Sequence, residues 1–289
     1  MPLVNLQSWI LRAQREGFAV GAFNANTLEQ VQAIVAAAQM EHAPAIVQIS
    51  VRALQFVGSG NGTLGLKYMA EIGKVAAQSV DVPIALHLDH ANEQQVAQAI
   101  TLGFTSAMFD GGALSFAENI AVTQRLRALT QANHALLEAE VSAVPRPASG
   151  GTLDRAIEIT QVQDAVEFAR ATQVDLLAIA LGSVHAGKTK TMMLDLERLR
   201  EIRAAVATPL VLHGSSGVLD EHIAQSIRHG IVKVNVATQL NQAFTQGARA
   251  ILDADAQEFD PRKYLAPARD AMTERVRERI RFFGASGKA

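Results

Sequence analysis

Three of the eight histidines in this chain of 289 residues, His90, His185 and His213, stand at or just beyond the end of short apolar runs. Three imidazoles delivered from separate segments can fill three corners of a zinc site and leave the fourth to a substrate. The carboxylates Asp89 and Glu140 end similar runs. Any one of these residues alone is more often an ordinary polar residue at a loop start than a ligand. Three histidines with two carboxylates favour a site. The chain has no cysteine, which excludes disulfides, thiolate metal sites and cysteine nucleophiles. A metal must therefore be held by His, Asp or Glu, a donor set that suits zinc or another borderline ion. An ion so held is a Lewis acid for a carbonyl. His42, His134, His222 and His229 fall on predicted helices or near their ends and read as surface residues. His87, inside an apolar run, reads as structural.

Small residues gather in two further stretches. His213-Gly214-Ser215-Ser216-Gly217 and Asn235-Val236-Ala237-Thr238 both leave apolar runs, the second into a predicted helix. Such turns hold phosphate with backbone N–H groups and a helix N-terminus. Gly and Ser are ordinary turn residues, so one stretch is a weak signal; two, flanking a candidate ligand, are a stronger one. The triplet Lys188-Thr189-Lys190 adds positive charge, although a solvated loop is the plainer reading.

The elements that must position these residues alternate along the chain. Strands are predicted at 18–24, 45–50, 83–88, 104–109, 135–141, 174–181, 209–212 and 231–236 from short β-rich apolar runs. Helical patterns follow at 28–41, 64–78, 93–102, 115–132, 161–171, 195–205, 220–228 and 239–252, with one more at 261–283. A short helix with Trp9, Ile10 and Ala13 on one face comes first. The strands are apolar at nearly every position, as expected when both faces are buried. Gly17, Gly103 and Gly230 stand where helices must stop before strands, and Pro44, Pro83 and Pro209 at strand starts.

Eight such units predict an α/β fold: a single (β/α)8 TIM barrel over residues 1–289 with an additional C-terminal helix, since that fold needs about 250 residues. An open doubly wound sheet is the runner-up. In a barrel the strand ends share one rim, where active sites lie. Here they are Asn24, Ser50, Asp89-His90, Asp110, Glu140, the run into His185, His213 and Asn235. Two connections on that side are long: one containing the glycine-rich 58–62, the other 142–159. Long loops there are usually functional. The small, polar tail 284–289 is predicted to be mobile.

Bulk properties exclude several classes. The net charge is −2, which leaves no electrostatic footprint for nucleic acid or an anionic membrane. A small anionic substrate needs only local donors. There is no run of eighteen apolar residues to cross a bilayer. The first residues carry charges within their apolar pattern and lack a signal-peptide layout. The default location is the cytoplasm.

With these residues the chain resembles the class II ketose-bisphosphate aldolases, which include fructose- and tagatose-bisphosphate aldolases and the aldolase of inositol breakdown. The resemblance covers nearly the whole chain. It is carried by Gly21-Ala22-Phe23-Asn24, Leu86-His87-Leu88-Asp89-His90, Ala107-Met108-Phe109-Asp110-Gly111 and Glu138-Ala139-Glu140. It continues through Gly182-Ser183-Val184-His185, Leu212-His213-Gly214-Ser215-Ser216-Gly217, Lys233-Val234-Asn235-Val236-Ala237-Thr238 and Asp260-Pro261-Arg262. It implies zinc held by His90, His185 and His213, with Glu140 as a ligand when the metal shifts. It implies Asp89 as the acid/base at the aldehyde or hydroxyl oxygen. A dihydroxyacetone phosphate site would comprise Gly214, Ser215, Ser216 and Asn235 through Thr238, joined by the backbone of Ala186, where many members have Gly. Asn24 and Ser50 join the substrate-binding set. Arg262 resembles an arginine that reaches a neighbouring subunit's active site, which implies a homodimer or homotetramer. Some members bind a monovalent cation as well.

One departure stands out. After the fifth strand the family usually has a glycine pair followed by x-Glu-Asp, the Glu being the acid or base at the dihydroxyacetone phosphate carbon. Here Gly150-Gly151 is followed by Thr152-Leu153-Asp154, so Leu153 takes the Glu position. Leucine exchanges no proton; Asp154 or Glu158 could substitute, or the substrate differs. A class I mechanism would use a lysine Schiff base, for which Lys233 is the lysine well placed, but that leaves the histidines unexplained. Hydrolysis by zinc-bound water and non-catalytic binding of a sugar phosphate are also compatible with these residues.

Overall fold

Short strands that are apolar on both faces can hide both only between an inner core and an outer layer of helices. The structure, a computed structural model, describes residues 2–142, 144, 153, 157–185 and 189–289. Its strands are β1 (Val20–Asn24), β2 (Ala45–Ser50), β3 (Ile84–Ala91), β4 (Ser106–Phe109), β5 (Leu136–Glu140), β6 (Leu176–Ile179), β7 (Leu210–Leu212) and β8 (Ile231–Val236). They pair in chain order as a closed parallel barrel. β8 closes on β1 with Val20 opposite Lys233 and Ala22 opposite Asn235. The predicted (β/α)8 barrel is the observed architecture, and the open sheet is excluded.

Helices α1 (Gln7–Glu16), α2 (Leu28–Met40), α3 (Val51–Val57), α4 (Gly62–Gln78), α5 (Glu93–Thr101) and α6 (Phe116–Ala132) surround the first half. α7 (Val162–Thr172), α8 (Leu196–Ala205), α9 (Asp220–Arg228), α10 (Thr238–Ala254) and α11 (Pro261–Phe282) surround the second. Local sequence sets their starts. Asn92 with Gln95, and Ser115 with Glu118, form reciprocal capping boxes, each satisfying two otherwise orphaned N–H donors. Gly17 ends α1 in the left-handed conformation at φ +72°, which costs glycine no Cβ clash.

Several expected boundaries move. β3 runs through Asp89 and His90 to Ala91 instead of stopping at Leu88. β1, β4, β6 and β7 are shorter than expected; before β1, for example, the Ala19 N–H donates to the Phe283 carbonyl. The connection after β2 is not a plain loop. Ser50, the last residue of β2, accepts from the Ala53 N–H and caps α3. Of the long connection after β5, Ser142, Val144, Leu153 and 157–159 are described; Gly150, Gly151 and Asp154 lie outside the described residues, as do Ala186 and Lys188 in the connection after β6.

The tail is also unlike its expectation. Ala285 is fully buried. The Gly287 N–H donates to the Glu41 carbonyl at 2.8 Å and the Ala289 N–H to that of His42 at 2.9 Å. Polarity of the last residues suggests mobility, yet these polar groups have partners at the end of α2. The Glu41 carboxylate is the centre of that contact, accepting from Arg281 at 2.6 Å, Arg277 at 2.8 Å and Ser286 at 2.9 Å. Burial opposes its ionisation, but the Arg281 and Arg277 guanidiniums and the Ser286 hydroxyl prevail and hold its pKa down to about 2.

A carboxyl depressed in the folded state adds stability above its unfolded pKa, which is lost as pH falls toward the folded one. Resistance to denaturant should therefore fall between about pH 4.5 and 2 in the native chain. Glu41→Gln should be less stable at neutral pH by about 1–3 kcal/mol and show a shallower acid dependence. Equal stability and equal slope would show that Glu41 does not staple the tail.

Candidate active site

Side chains alternate across a strand, so a residue two positions below a rim residue points into the same interior. Gln48 lies two before Ser50, His87 two before Asp89, Glu138 two before Glu140, and Lys233 two before Asn235. All four lower residues are fully buried, and the barrel interior beneath the rim is polar. Lys233 Nζ lies 2.8 Å from Glu138 Oε2 and donates to Asn235 Oδ1 at 2.7 Å. His87 Nδ1 pairs with the Ser106 hydroxyl at 2.8 Å, in keeping with a structural role. Burial and then the Lys233 charge push its pKa down to about 3.

The three candidate histidines converge. By strict alternation His90, next to inward-facing Asp89, would face the helices. It instead adopts φ +53°, and the β3–β4 register shifts between Leu88 and Ala91. A left-handed non-glycine residue costs about 1–2 kcal/mol, a strain typical of functional positions. The His90 ring then lies edge-on to His213 and His185, with centroids 5.0 and 5.1 Å away. His185 follows β6, and the Ser183 hydroxyl beside it donates to the His213 carbonyl at 2.8 Å.

The partners of the rings define their ligand chemistry. His213 Nε2 is 2.7 Å from Glu138 Oε1, and His90 Nδ1 is 3.1 Å from Asp110 Oδ2. Ionised carboxylates only accept, so those nitrogens carry the protons. The remaining lone pairs, on His213 Nδ1 and His90 Nε2, face each other across 3.2 Å. Two facing lone pairs repel unless a cation lies between them. Two nitrogens each bonded at 2.0–2.1 Å to one tetrahedral zinc ion lie about 3.3 Å apart, so the spacing fits such an ion. Carboxylates that orient imidazoles in this way are the usual support of a metal site. One donor atom from each of His90, His185 and His213 lies within 4.8 Å of the others, and His90, Asp110 and Glu140 form a second such group.

Electrostatics agree with that use. Burial pushes the His213 pKa below its ordinary value, with Glu138 opposing, and neutral imidazole is the ligand form. Burial disfavours ionised Glu138, but Lys233 and the His213 hydrogen bond hold it well below the usual carboxylate range. Burial disfavours ionised Asp89 as well, but the neighbouring His90 and His213 imidazoles and the Lys233 ammonium hold its carboxyl below its ordinary value. It stands as a carboxylate, a base, at neutral pH.

Beside the histidines, Asn24, Gln48, Asp89, His185, Gly214, Ser215, Ser216, Asn235, Ala237 and Thr238 line one cavity. Gly214 has φ +66°, and a Cβ there would stand 3.0 Å from the Val184 backbone, so only glycine fits without strain. The Ser215 hydroxyl donates to the Asn235 carbonyl at 2.5 Å, which fastens the turn after β7 to the end of β8. α10 begins at Thr238 with no side-chain cap. Its first N–H groups and the positive end of its dipole are thus open to an anion.

Other expected residues are not brought to this cavity. Val236 is buried in the core, the Ser50 hydroxyl caps α3, and none of Ser50, Val236 and Arg262 lines the cavity. The Arg262 side chain is 88% exposed and paired with Asp260. Lys233 does point the same way as Asn235, but it is buried with its Nζ on Glu138 and Asn235, so it presents no free amine for a Schiff base. Sequence reading left Glu138, Asp110 and Gln48 without roles. The signal for Glu138 was available: two glutamates at i and i+2 in an apolar strand place a second, deeper carboxylate below Glu140. A hollow of about 670 Å³ between α2 and α4 is mainly apolar, with Val35, Ile72 and Val75 in its wall, and lies apart from these groups.

The barrel and its rim therefore define an α/β-barrel enzyme with a place for a metal ion beside an anion cradle. The family described as Fructose-bisphosphate aldolase class-II matches residues 4–288. The fructose-bisphosphate aldolase of Staphylococcus epidermidis is 36% identical over 290 residues, covering 100% of both chains; that of Staphylococcus aureus is 35% identical over the same span. Among solved structures, the YdjI aldolase of Escherichia coli K12 superposes with TM-score 0.85 at 30% identity, over 99% of each chain. The fructose-bisphosphate aldolase of Campylobacter jejuni does so with TM-score 0.86 at 22% identity, covering 100% of this chain and 97% of that one, a likeness of fold. The chain belongs to the class II fructose-bisphosphate aldolase family. It is an aldolase, a carbon–carbon lyase, and the hydrolase and non-catalytic readings fall away. No described helix is long and apolar enough to cross a membrane.

Removing the Asp110 carboxylate should free the His90 ring. Asp110→Ala is expected to lower metal affinity about 10–100-fold, read by titrating the metal-stripped protein with zinc. Unchanged affinity would show that His90 needs no such support.

Proposed function

We propose that the chain, acting as one domain, reversibly cleaves a ketose 1,6-bisphosphate to dihydroxyacetone phosphate and an aldehyde, with fructose 1,6-bisphosphate the first choice and tagatose 1,6-bisphosphate the second. The observation that carries this reading is the cluster of His90, His185 and His213 opening onto the same side as the uncapped α10 and the Gly214 turn. The relatives named fructose-bisphosphate aldolase support the choice of sugar.

In this reading the phosphate next to the ketone sits on the backbone of Gly214, Ser215 and Ser216, with Ala237, Thr238 and Ala186. Asn24 contacts the rest of the sugar. Asp89, a carboxylate at neutral pH, takes the proton of the C4 hydroxyl. The C3–C4 bond then breaks, the aldehyde leaves, and the electron pair passes to the ketone oxygen as an enediolate. Asn235 offers its amide N–H to that oxygen. Asp154 or Glu158 returns a proton to C3. Zinc held by His90, His185 and His213 supplies Lewis acidity for the carbonyl, with Glu140 as a ligand when the metal shifts and a monovalent cation as a further bound ion. Arg262 serves the second phosphate in a neighbouring subunit of a homodimer or homotetramer. Leu153 favours a second reading, a different phosphorylated ketose, because it places no proton-exchanging group where the family's Glu stands.

Cleavage of both sugars should be lost on chelation with EDTA and return with zinc. Activity indifferent to complete metal removal would overturn the zinc assignment; zinc-loaded protein inactive on both sugars would favour the second reading. Asp89→Ala should lower kcat by about 10²–10⁴-fold while zinc content is retained, and full activity would remove Asp89 from its role.

A further inference from the structure

A side-chain amide has an acceptor at one end and donors at the other, and the two ends are nearly the same shape. Which end Asn235 turns toward the cavity therefore depends on its neighbours. Lys233 can only donate, and its Nζ meets Asn235 Oδ1 at 2.7 Å. The amide nitrogen must then face the other way, and it does, 3.4 Å from Asp89 Oδ1. Turned over, Asn235 would set its oxygen against the Asp89 carboxylate and toward an incoming anion. Lys233, Glu138 and His213 are fully buried. The lysine is itself fixed, because Glu138 Oε2 holds it at 2.8 Å while Glu138 Oε1 accepts from His213.

We propose that Lys233 is a positioning residue: held by Glu138, it locks the Asn235 amide so that its N–H, not its oxygen, meets the developing enediolate. This rests on the reading of Asn235 as a contact of the enediolate. The i, i+2 spacing of Lys233 and Asn235 on β8 makes the contact short, and one carboxylate serves both the donor that sets Asn235 and the imidazole of His213. A lysine that is only a counter-ion for Glu138 would have no effect on the preference for the enediolate.

The test is the double variant Glu138→Gln, Lys233→Met. It removes both buried charges together, which proteins often tolerate, and the glutamine side chain still offers an oxygen to His213. Binding of dihydroxyacetone phosphate and of a phosphorylated hydroxamate that mimics the enediolate is measured on zinc-loaded protein. Dihydroxyacetone phosphate should bind nearly as in the native enzyme. Hydroxamate affinity and kcat should each fall about 10²-fold, with KM little changed. A folded, zinc-loaded double variant that still prefers the hydroxamate as the native enzyme does would overturn the proposal. A native enzyme that shows no such preference would instead overturn the enediolate reading of the site. If the double variant does not fold, the side-chain amide signals of Asn235 in the unaltered enzyme decide. An Asn235 Nδ2–H signal that shifts as the hydroxamate binds is expected. No shift would overturn the lock.

Discussion

The site depends on a carboxylate that water never reaches. Glu138 is buried at the middle of the barrel, and burial alone would leave it protonated. It stays ionised because Lys233 and His213 press against its two oxygens. Taking a lysine and a glutamate out of water is costly unless their remaining hydrogen-bonding positions are filled. Here the His213 imidazole donates to Glu138 Oε1 and Lys233 donates to the Asn235 amide oxygen, while Glu138 Oε2 meets Lys233 as an ion pair without a hydrogen bond. The interior of the barrel thus exchanges part of the apolar burial usual for this fold for a polar frame that fixes the rim.

The same logic governs His90. Its left-handed backbone and the β-bulge beside it cost stability, and the facing lone pairs of His90 and His213 would repel. Asp110 and Glu138 impose those tautomers from outside. The arrangement is therefore strained and pre-set, and a cation bound between the two rings would relieve the repulsion. Because both supports are carboxylates, they also make the rings better donors.

The anion cradle is built differently, from backbone. Gly214 brings the turn after β7 close to the Val184 backbone, Ser215 ties that turn to β8, and α10 starts without a cap of its own. α5 and α6, by contrast, begin with reciprocal side-chain caps. Leaving one N-terminus open beside the histidines places positive potential where a phosphate would sit, with no need for a lysine. That is consistent with a chain of small net negative charge.

Much of this architecture can be read along the chain. Repeated strand-and-helix patterns, glycine stops and caps are local, so the eight units and the shared rim of His90, His185 and His213 follow from chain order, whereas His90 turns inward only through its left-handed backbone and the β3–β4 register shift. Tertiary structure decided what depends on partners from distant segments. Polar tail residues became fixed because Glu41, some 245 residues away, takes their donors along with two arginines. Ser50 was drawn into a helix cap, and Val236 into the core. Glu138 acquired its significance only when β5, β7 and β8 brought Lys233 and His213 to its two oxygens. Sequence by itself determined which groups could do chemistry and on which rim they stand, because strand alternation and topology are encoded locally. Only the folded barrel decided their protonation, tautomer and orientation, because those depend on burial and on contacts between segments that are remote in the chain.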